Sequence, residues 1–124
     1  MLAVAQAATG ADVYAYEIDL DDEDSPLGGN FHGLDLILLF GRKMYYEEKE
    51  WRLLCEHFVG EEDLSENMVE AGDAWRAAVV RFATTGDPGV ENGWGKKLGR
   101  DGQGERTIIG SGGKLRAEEF STIL

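Results

Sequence analysis

A chain of 124 residues is long enough for one domain, which buries roughly two-thirds of its unfolded surface when it folds. Its composition, 43% apolar and 10% aromatic, is that of a globular protein and argues against a disordered one. The formal net charge of −12, from 12 basic and 24 acidic residues, argues against a phosphate backbone as partner, so no nucleic-acid binding is expected.

The apolar opening of the chain lacks both the basic stretch and the length of a secretory signal. No stretch approaches the length of a membrane-spanning helix, so no membrane partner is expected, and the compartment stays open. The single cysteine, Cys55, argues against an internal disulfide framework. Burial as a small apolar residue is the preferred interpretation, and an intermolecular disulfide is the alternative.

The first predicted element is a strand over Val13 to Leu20. One face carries Tyr14, Tyr16, Ile18 and Leu20. The opposite face is also apolar at its start, as in a central strand that is covered on both sides. An acidic loop over Asp21 to Gly29 follows. The next apolar run, Leu34 to Phe40, fits either a short buried helix or a strand.

A helix is predicted over Glu47 to Phe58, where apolar residues recur at i, i+3, i+4 and i+7 and Gly60 is a plausible stop. A second, longer helix begins at a capping box in which Asp63 accepts backbone amides and Glu66 reaches back. It runs through Phe82. Its predicted buried stripe is Leu64, Met68, Trp75, Val79 and Phe82.

This second helix is predicted to end at Gly86, with Pro88 shortly after. Beyond Pro88 glycines become frequent. The sequence there predicts a loop that is interrupted by one short strand at Arg106 to Ile109.

The run from Gly28 to Gly41 sets one histidine, His32, between glycines, after the predicted strand and before the apolar run. An imidazole that shuttles protons needs an exposed edge with little crowding, and neighbouring glycines allow this. A lone histidine is more often structural, however, so the residues alone leave both roles open.

Several separated motifs resemble the type-B carboxylesterase and cholinesterase family, and they occur in the family's order. They are Asp12-Val13-Tyr14-Ala15-Tyr16-Glu17-Ile18-Asp19, His32-Gly33-x-Asp35-Leu36, Phe40-Gly41, Trp75, Phe82-Ala83-x-Thr85-Gly86-Asp87-Pro88, Trp94 and Arg106 to Gly110. They span almost the whole chain and correspond to the C-terminal part of a full-length member. The spacing departs from the family at Trp75 and Phe82, where four extra residues add about one helical turn.

The resemblance implies an α/β fold class: the C-terminal portion of an α/β-hydrolase fold, incomplete as a domain, over residues 1–124. One or two central-sheet strands, the histidine loop, two to three helices and a glycine-rich tail are expected. The resemblance also gives His32 the role of general acid and base in a Ser-His-acid triad. Asp35 is expected to serve a helix start or packing rather than to be the triad acid. No cofactor or metal is implied.

The nucleophile of this family lies in a Gly-x-Ser-x-Gly elbow. The four serines of the sequence all lack the paired glycines: Ser25, Ser65, Ser111 and Ser121. In the family the triad acid lies upstream of the histidine. The chain is therefore expected to be inactive alone. Its expected partner is the N-terminal portion of the esterase domain, with a carboxylic ester as substrate of the intact parent.

Two other interpretations stay open: a non-catalytic esterase-like interaction module or truncated relic, and an unrelated acidic α+β domain. Three shorter patterns are rejected as sites. The calcium-like spacing Asp19-x-Asp21-x-Glu23 has Asp24 where glycine is needed and Asn30 in place of the closing glutamate. Cys55-x-His57 lacks a second ligand pair for zinc. Gly112-Gly113-Lys114 lacks the earlier glycine and the hydroxyl of a P-loop.

Overall fold

The computed structural model describes residues 8–24, 34–39 and 65–121. The strands are β1 (Ala15–Asp19), β2 (Gln103–Gly110) and β3 (Leu115–Ser121), and the long helix is α1 (Glu66–Thr85). Residues 34–39 are also helical, and single 3₁₀ turns cover Val90–Asn92 and Ser111–Gly113. The three strands form one sheet in the order β1-β2-β3.

The predicted strand over Val13 to Leu20 is confirmed in its centre, and β1 is shorter at both ends. Within the described sheet β1 is an edge strand, because β2 has a neighbour on each side. Tyr16 is 41% exposed, so the predicted apolar face is not evenly covered, whereas Leu20, directly after the strand, is buried.

The prediction that a loop with one short strand follows Pro88 is wrong in part. Residues 106–109 do lie in a strand, but β2 is longer than predicted, and β3 was missed. The Gly110 N–H donates to the Lys114 carbonyl at 2.8 Å, and Gly112 and Gly113 both have φ of 75° in the connecting turn. These glycines therefore make a hairpin, and the backbone pairing with β2 keeps a charged segment extended.

Helix α1 begins two residues later than the predicted cap implies. Ser65 is the N-cap, because its Oγ accepts the Met68 N–H at 3.1 Å. The predicted end is confirmed: the Gly86 N–H donates to the Phe82 carbonyl at 2.8 Å, and Gly86 has φ of 79°.

The predicted stripe of α1 is correct at Met68 and wrong at its end. Met68 is fully buried, and Trp75 and Val79 are partly buried. Phe82 is 44% exposed, although its ring forms a T-shaped pair with the Tyr14 ring, with centroids 5.9 Å apart.

The chain divides into two compact units. In the described residues, the first contains 8–17, 78–108 and 115–121, with a core of Ala78, Trp94, Leu98 and Ile108. The second contains 18–24, 34–39, 65–77 and 109–114. Its core consists of Leu20, Leu34, Ile37, Leu38, Met68, Ala71 and Ile109.

Several predictions lie outside the described residues: the helix over 47–58 with Cys55 and His57, the cap residue Asp63, the stripe residue Leu64, and the loop residues Asn30 and His32. In the part of the chain that the structure describes, no helix combines the length and the apolar character that a bilayer crossing requires.

Candidate functional site

The turn that follows β1 is fixed at Asp24, the last described residue before the predicted histidine loop. This side chain is only 8% exposed, and both of its carboxylate oxygens accept the Asn67 side-chain amide at 3.3 Å. The Asp24 N–H donates to the Asp21 carbonyl at 2.9 Å, which closes the turn. A buried carboxylate without a donor is costly, so Asn67 holds this end of the segment.

The turn between β2 and β3 contacts the same region. The Asp21 N–H donates to Ser111 Oγ at 2.9 Å. At Gly113 an added Cβ would lie 2.8 Å from the Glu70 carbonyl oxygen, which shows how closely the turn approaches the first half of α1. Glycine at this position therefore serves packing.

The apolar run that follows the predicted histidine loop is helical over 34–39, which settles the choice between helix and strand. Leu34, Ile37 and Leu38 are buried, whereas Leu36 is 50% exposed, as one covered face of a helix requires. Asp35 lies on this helical segment, and its Oδ1 accepts the Leu36 N–H at 3.0 Å.

Helix α1 contacts this helical segment at Leu38. The Arg76 Nη1 donates to the Leu38 carbonyl oxygen at 2.7 Å, and Arg76 also forms an ion pair with Asp73. A Cβ on Gly72 would lie 2.9 Å from the same Leu38 oxygen. Only glycine lets the backbone of α1 approach so closely, and the Arg76 guanidinium donates to the Leu38 carbonyl there.

The predicted catalytic residue, His32, lies outside the described residues, so its placement stays a prediction. What the structure places is the chain on either side of it. Asp24 before it and Leu38 after it belong to one compact unit, and each is bonded to a side chain of α1.

The acidic residues after β1 form the described cluster that most resembles a cation site. Carboxylate oxygens of Asp21, Glu23 and Asp24 all lie within 4.8 Å of one another. Asp24 is engaged by Asn67, and the other two residues are exposed. Asp19, the first residue of the calcium-like spacing, is not a member of the cluster. Two exposed carboxylates therefore lie beside one buried carboxylate in this turn.

The Thr-Gly-Asp-Pro motif that contributes to the family resemblance is a helix stop. Thr85 Oγ1 donates to the Arg81 carbonyl at 2.8 Å and accepts the Asp87 N–H at 3.2 Å. Asp87 Oδ1 accepts the N–H groups of Val90 at 3.0 Å and Gly89 at 2.7 Å. These backbone bonds hold the pKa of Asp87 below its usual value, with a smaller contribution from the Arg81 charge.

A second group of charges lies near the start of β1. Lys97 Nζ donates to Asp12 Oδ1 at 2.8 Å, and this bond raises the pKa of Lys97. Burial raises the pKa of Tyr14, and the carboxylates of Asp87 and Asp12 raise it further, while Lys97 opposes them. A phenol kept neutral in this way packs and donates but is poorly suited to act as a base.

Sequence reasoning missed the two polar contacts that bracket the histidine segment. Asn67 and Arg76 face different parts of the chain, 43 and 38 residues away from their partners. The sequence around these two residues gives little indication of the contacts, because an asparagine in the first turn of a helix and an arginine in its middle are ordinary surface residues. Gly72 inside a predicted helix is a visible sign, since an interior glycine costs stability relative to alanine and so indicates a close approach of another part of the chain.

Comparison with solved structures gives a likeness to an esterase. A solved structure of an esterase from the anaerobe Clostridium hathewayi, which hydrolyses aliphatic aromatic polyesters, aligns with a TM-score of 0.63 at 19% identity. The alignment covers 94% of this chain and 20% of that esterase. No protein-family profile matches the chain, and no curated protein matches it. This chain shares the fold of a part of an esterase.

Proposed function

We propose that this chain is the C-terminal segment of a serine carboxylic-ester hydrolase of the type-B carboxylesterase and cholinesterase family. The observation that carries the proposal is the fold likeness, because almost the whole chain aligns with a fifth of an esterase. The sequence motifs support the same assignment: the histidine run lies between β1 and the helical segment 34–39, in the family's order.

In the proposed reaction, His32 is the general base and then the general acid. Its imidazole takes the proton of a serine hydroxyl as that oxygen attacks the ester carbonyl, and it returns the proton to the departing alcohol. Water then attacks the acyl-serine by the same route in reverse, which releases the carboxylic acid and regenerates the serine. The serine, the triad acid and the oxyanion-hole donors belong to the N-terminal portion of the domain, which is the proposed partner.

Because the members of a triad act as a unit, the 124-residue chain is expected to be inactive alone. The test is hydrolysis of a p-nitrophenyl ester by two polypeptides: this chain, and the longest polypeptide encoded in frame with it. We expect no rate above buffer for the chain. If the longer polypeptide supplies a Gly-x-Ser-x-Gly elbow, we expect activity that His32→Ala lowers by about a million-fold, the cost of removing one triad member.

His57→Ala is the matched control, since it removes the other histidine of the sequence. Full activity after His32→Ala would refute the triad role. Hydrolysis by the isolated chain that His32→Ala abolishes would refute its dependence on an upstream portion. A longer polypeptide that folds, lacks the elbow and hydrolyses no ester would instead favour the non-catalytic module.

A further inference from the structure

We infer that Asn92 is a site of spontaneous covalent modification, at which the side-chain amide is lost to water after an internal attack by the Gly93 nitrogen. Asn92-Gly93 is the one asparagine-glycine pair of the sequence, and the other two asparagines, Asn30 and Asn67, precede bulky side chains. The nitrogen of a glycine is an unhindered nucleophile, because no Cβ crowds it. The modification does not depend on the proposed ester hydrolysis.

The chemistry needs no reactant besides water. The Gly93 nitrogen gives up its proton and bonds to the side-chain carbonyl carbon of Asn92. The bond from that carbon to Nδ2 breaks, and ammonia leaves with the proton. Water then opens the resulting cyclic imide at either of its two carbonyls. One opening gives aspartate, and the other gives isoaspartate, in which the main chain runs through the former side chain.

Both reacting groups are exposed and weakly held. Asn92 and Gly93 lie at the end of the 3₁₀ turn Val90–Asn92. The Gly93 N–H donates to the Val90 carbonyl at 3.3 Å, which is longer than the usual N–H to oxygen distance of about 2.9 Å. The Trp94 N–H reaches the Gly89 carbonyl at the same long distance of 3.3 Å. In the part of the chain that the structure describes, the Asn92 side chain forms no hydrogen bond.

The start of the same turn is firmly held. Asp87 Oδ1 accepts the N–H groups of Gly89 at 2.7 Å and Val90 at 3.0 Å. The Asn92 N–H donates to the Gly89 carbonyl at 2.8 Å. Attack requires the side-chain carbon of Asn92 to meet the Gly93 nitrogen, so the turn has to open at its end, where its hydrogen bonds are long.

A second turn shows what a protected pair looks like. Asp101-Gly102 is the one aspartate-glycine pair of the sequence. Gly102 is buried, and its N–H donates to the Gly99 carbonyl at 2.9 Å. Asp101 Oδ1 accepts the Gln103 N–H at 3.0 Å. Asp101→Asn therefore places an asparagine-glycine pair in a turn that holds both reacting groups, and it is the matched control.

The isoaspartate product disturbs the packing that follows the turn. It inserts an additional carbon atom into the main chain shortly before Trp94, which is only 6% exposed. The next residue, Gly95, is fixed by its bond to Thr107 Oγ1 at 2.8 Å. A longer main chain strains this buried contact, so we expect the isoaspartate form to unfold at a lower urea concentration than Asn92→Asp, which carries the same charge on an ordinary main chain.

The test follows the full chain during incubation at mildly alkaline pH. Mass spectrometry of its peptides measures deamidation, and methyl transfer by an isoaspartyl methyltransferase identifies isoaspartate. In the folded state we expect Asn92 to react about tenfold faster than the asparagine of Asp101→Asn, the factor that one or two net hydrogen bonds supply. In concentrated urea, where neither turn is held, the two rates should converge. Asn92→Gln should form no isoaspartate at this position, because its longer side chain has to close a larger ring.

Equal rates at the two positions in the folded chains would overturn the inference, since the two turns would then protect their pairs alike. A folded wild type that keeps Asn92 intact while the urea-unfolded wild type is converted would overturn it as well. This second comparison needs no variant, so it decides the matter even if Asp101→Asn does not fold. Equal urea midpoints for the isoaspartate form and Asn92→Asp would refute the effect on the Trp94 packing.

Discussion

Thr107 Oγ1 accepts the N–H of Gly95 at 2.8 Å, and the Thr107 side chain is completely buried in the centre of the sheet. This bond ties β2 to the segment after the 3₁₀ turn, next to the buried Trp94. The polar Thr107 side chain therefore has a structural reason at this buried strand position, because the Gly95 N–H needs an acceptor in the interior.

Thr107→Val preserves the shape of this side chain and removes its oxygen. The Gly95 N–H then lacks its buried acceptor, so we expect the free energy of unfolding to fall by about 1–3 kcal/mol. Urea denaturation followed by tryptophan fluorescence measures the change. Thr84→Val, on the exposed side of α1, is the control and should change stability far less; equal effects would contradict the explanation.

The N-cap of α1 gives a second prediction, because the sequence favours Asp63 and the structure has Ser65. Ser65→Ala removes the acceptor of the Met68 N–H, and we expect the free energy of unfolding to fall by about 1 kcal/mol. Asp63→Ala is the comparison, with a smaller expected loss. If Asp63→Ala instead causes the larger loss of stability in thermal unfolding, Asp63 and not Ser65 is the N-cap.

Asp87 predicts an acid dependence of stability. Backbone bonds from Val90 and Gly89 lower its pKa in the folded chain from the ordinary value of 3.8. A lowered folded-state pKa stabilises the fold fully above the unfolded value and loses this contribution as the pH falls through the folded value. Asp87→Asn removes the titrating group. The difference in unfolding free energy between wild type and Asp87→Asn should therefore be constant near neutrality and shrink below pH 3.8.

Urea titrations of both proteins between neutral and acidic pH measure this difference. If the difference in unfolding free energy stays constant down to the lowest pH, or increases in acid, the charged Asp87 carboxylate does not stabilise the turn after α1.

Tyr14 predicts the opposite dependence at high pH. Its pKa is raised from 10.0, mainly by burial and also by Asp87 and Asp12. A raised folded-state pKa gives a stabilisation that is complete below the unfolded value and lost as the pH rises through the folded value. Ultraviolet absorbance should show one tyrosine that ionises above pH 10.0 in the wild type and is missing in Tyr14→Phe. Ionisation of Tyr14 at or below that pH would refute the burial of its hydroxyl.

The predictable parts of the fold are those with a strong local pattern. Gly86 followed by Pro88 marks the end of α1 correctly, because a left-handed residue and a proline stop a helix wherever it lies. The strand at 106–109 is also marked by a local signal, because its buried apolar residues, Ile108 and Ile109, are consecutive. Strand β3 escapes prediction because charges dominate its sequence and only its pairing with β2 keeps it extended.

The amino-acid sequence by itself determined the acidic composition of this protein, its principal helix and strand, and the histidine run on which the proposed function rests. Tertiary structure alone decided that 34–39 is helical, that β1 lies at the edge of the described sheet, and that α1 binds the chain on both sides of that run. The physical reason is distance along the chain. Asn67 and Asp24, or Arg76 and Leu38, acquire their roles only when folding brings partners about forty residues apart into contact, and no local periodicity records such a pairing.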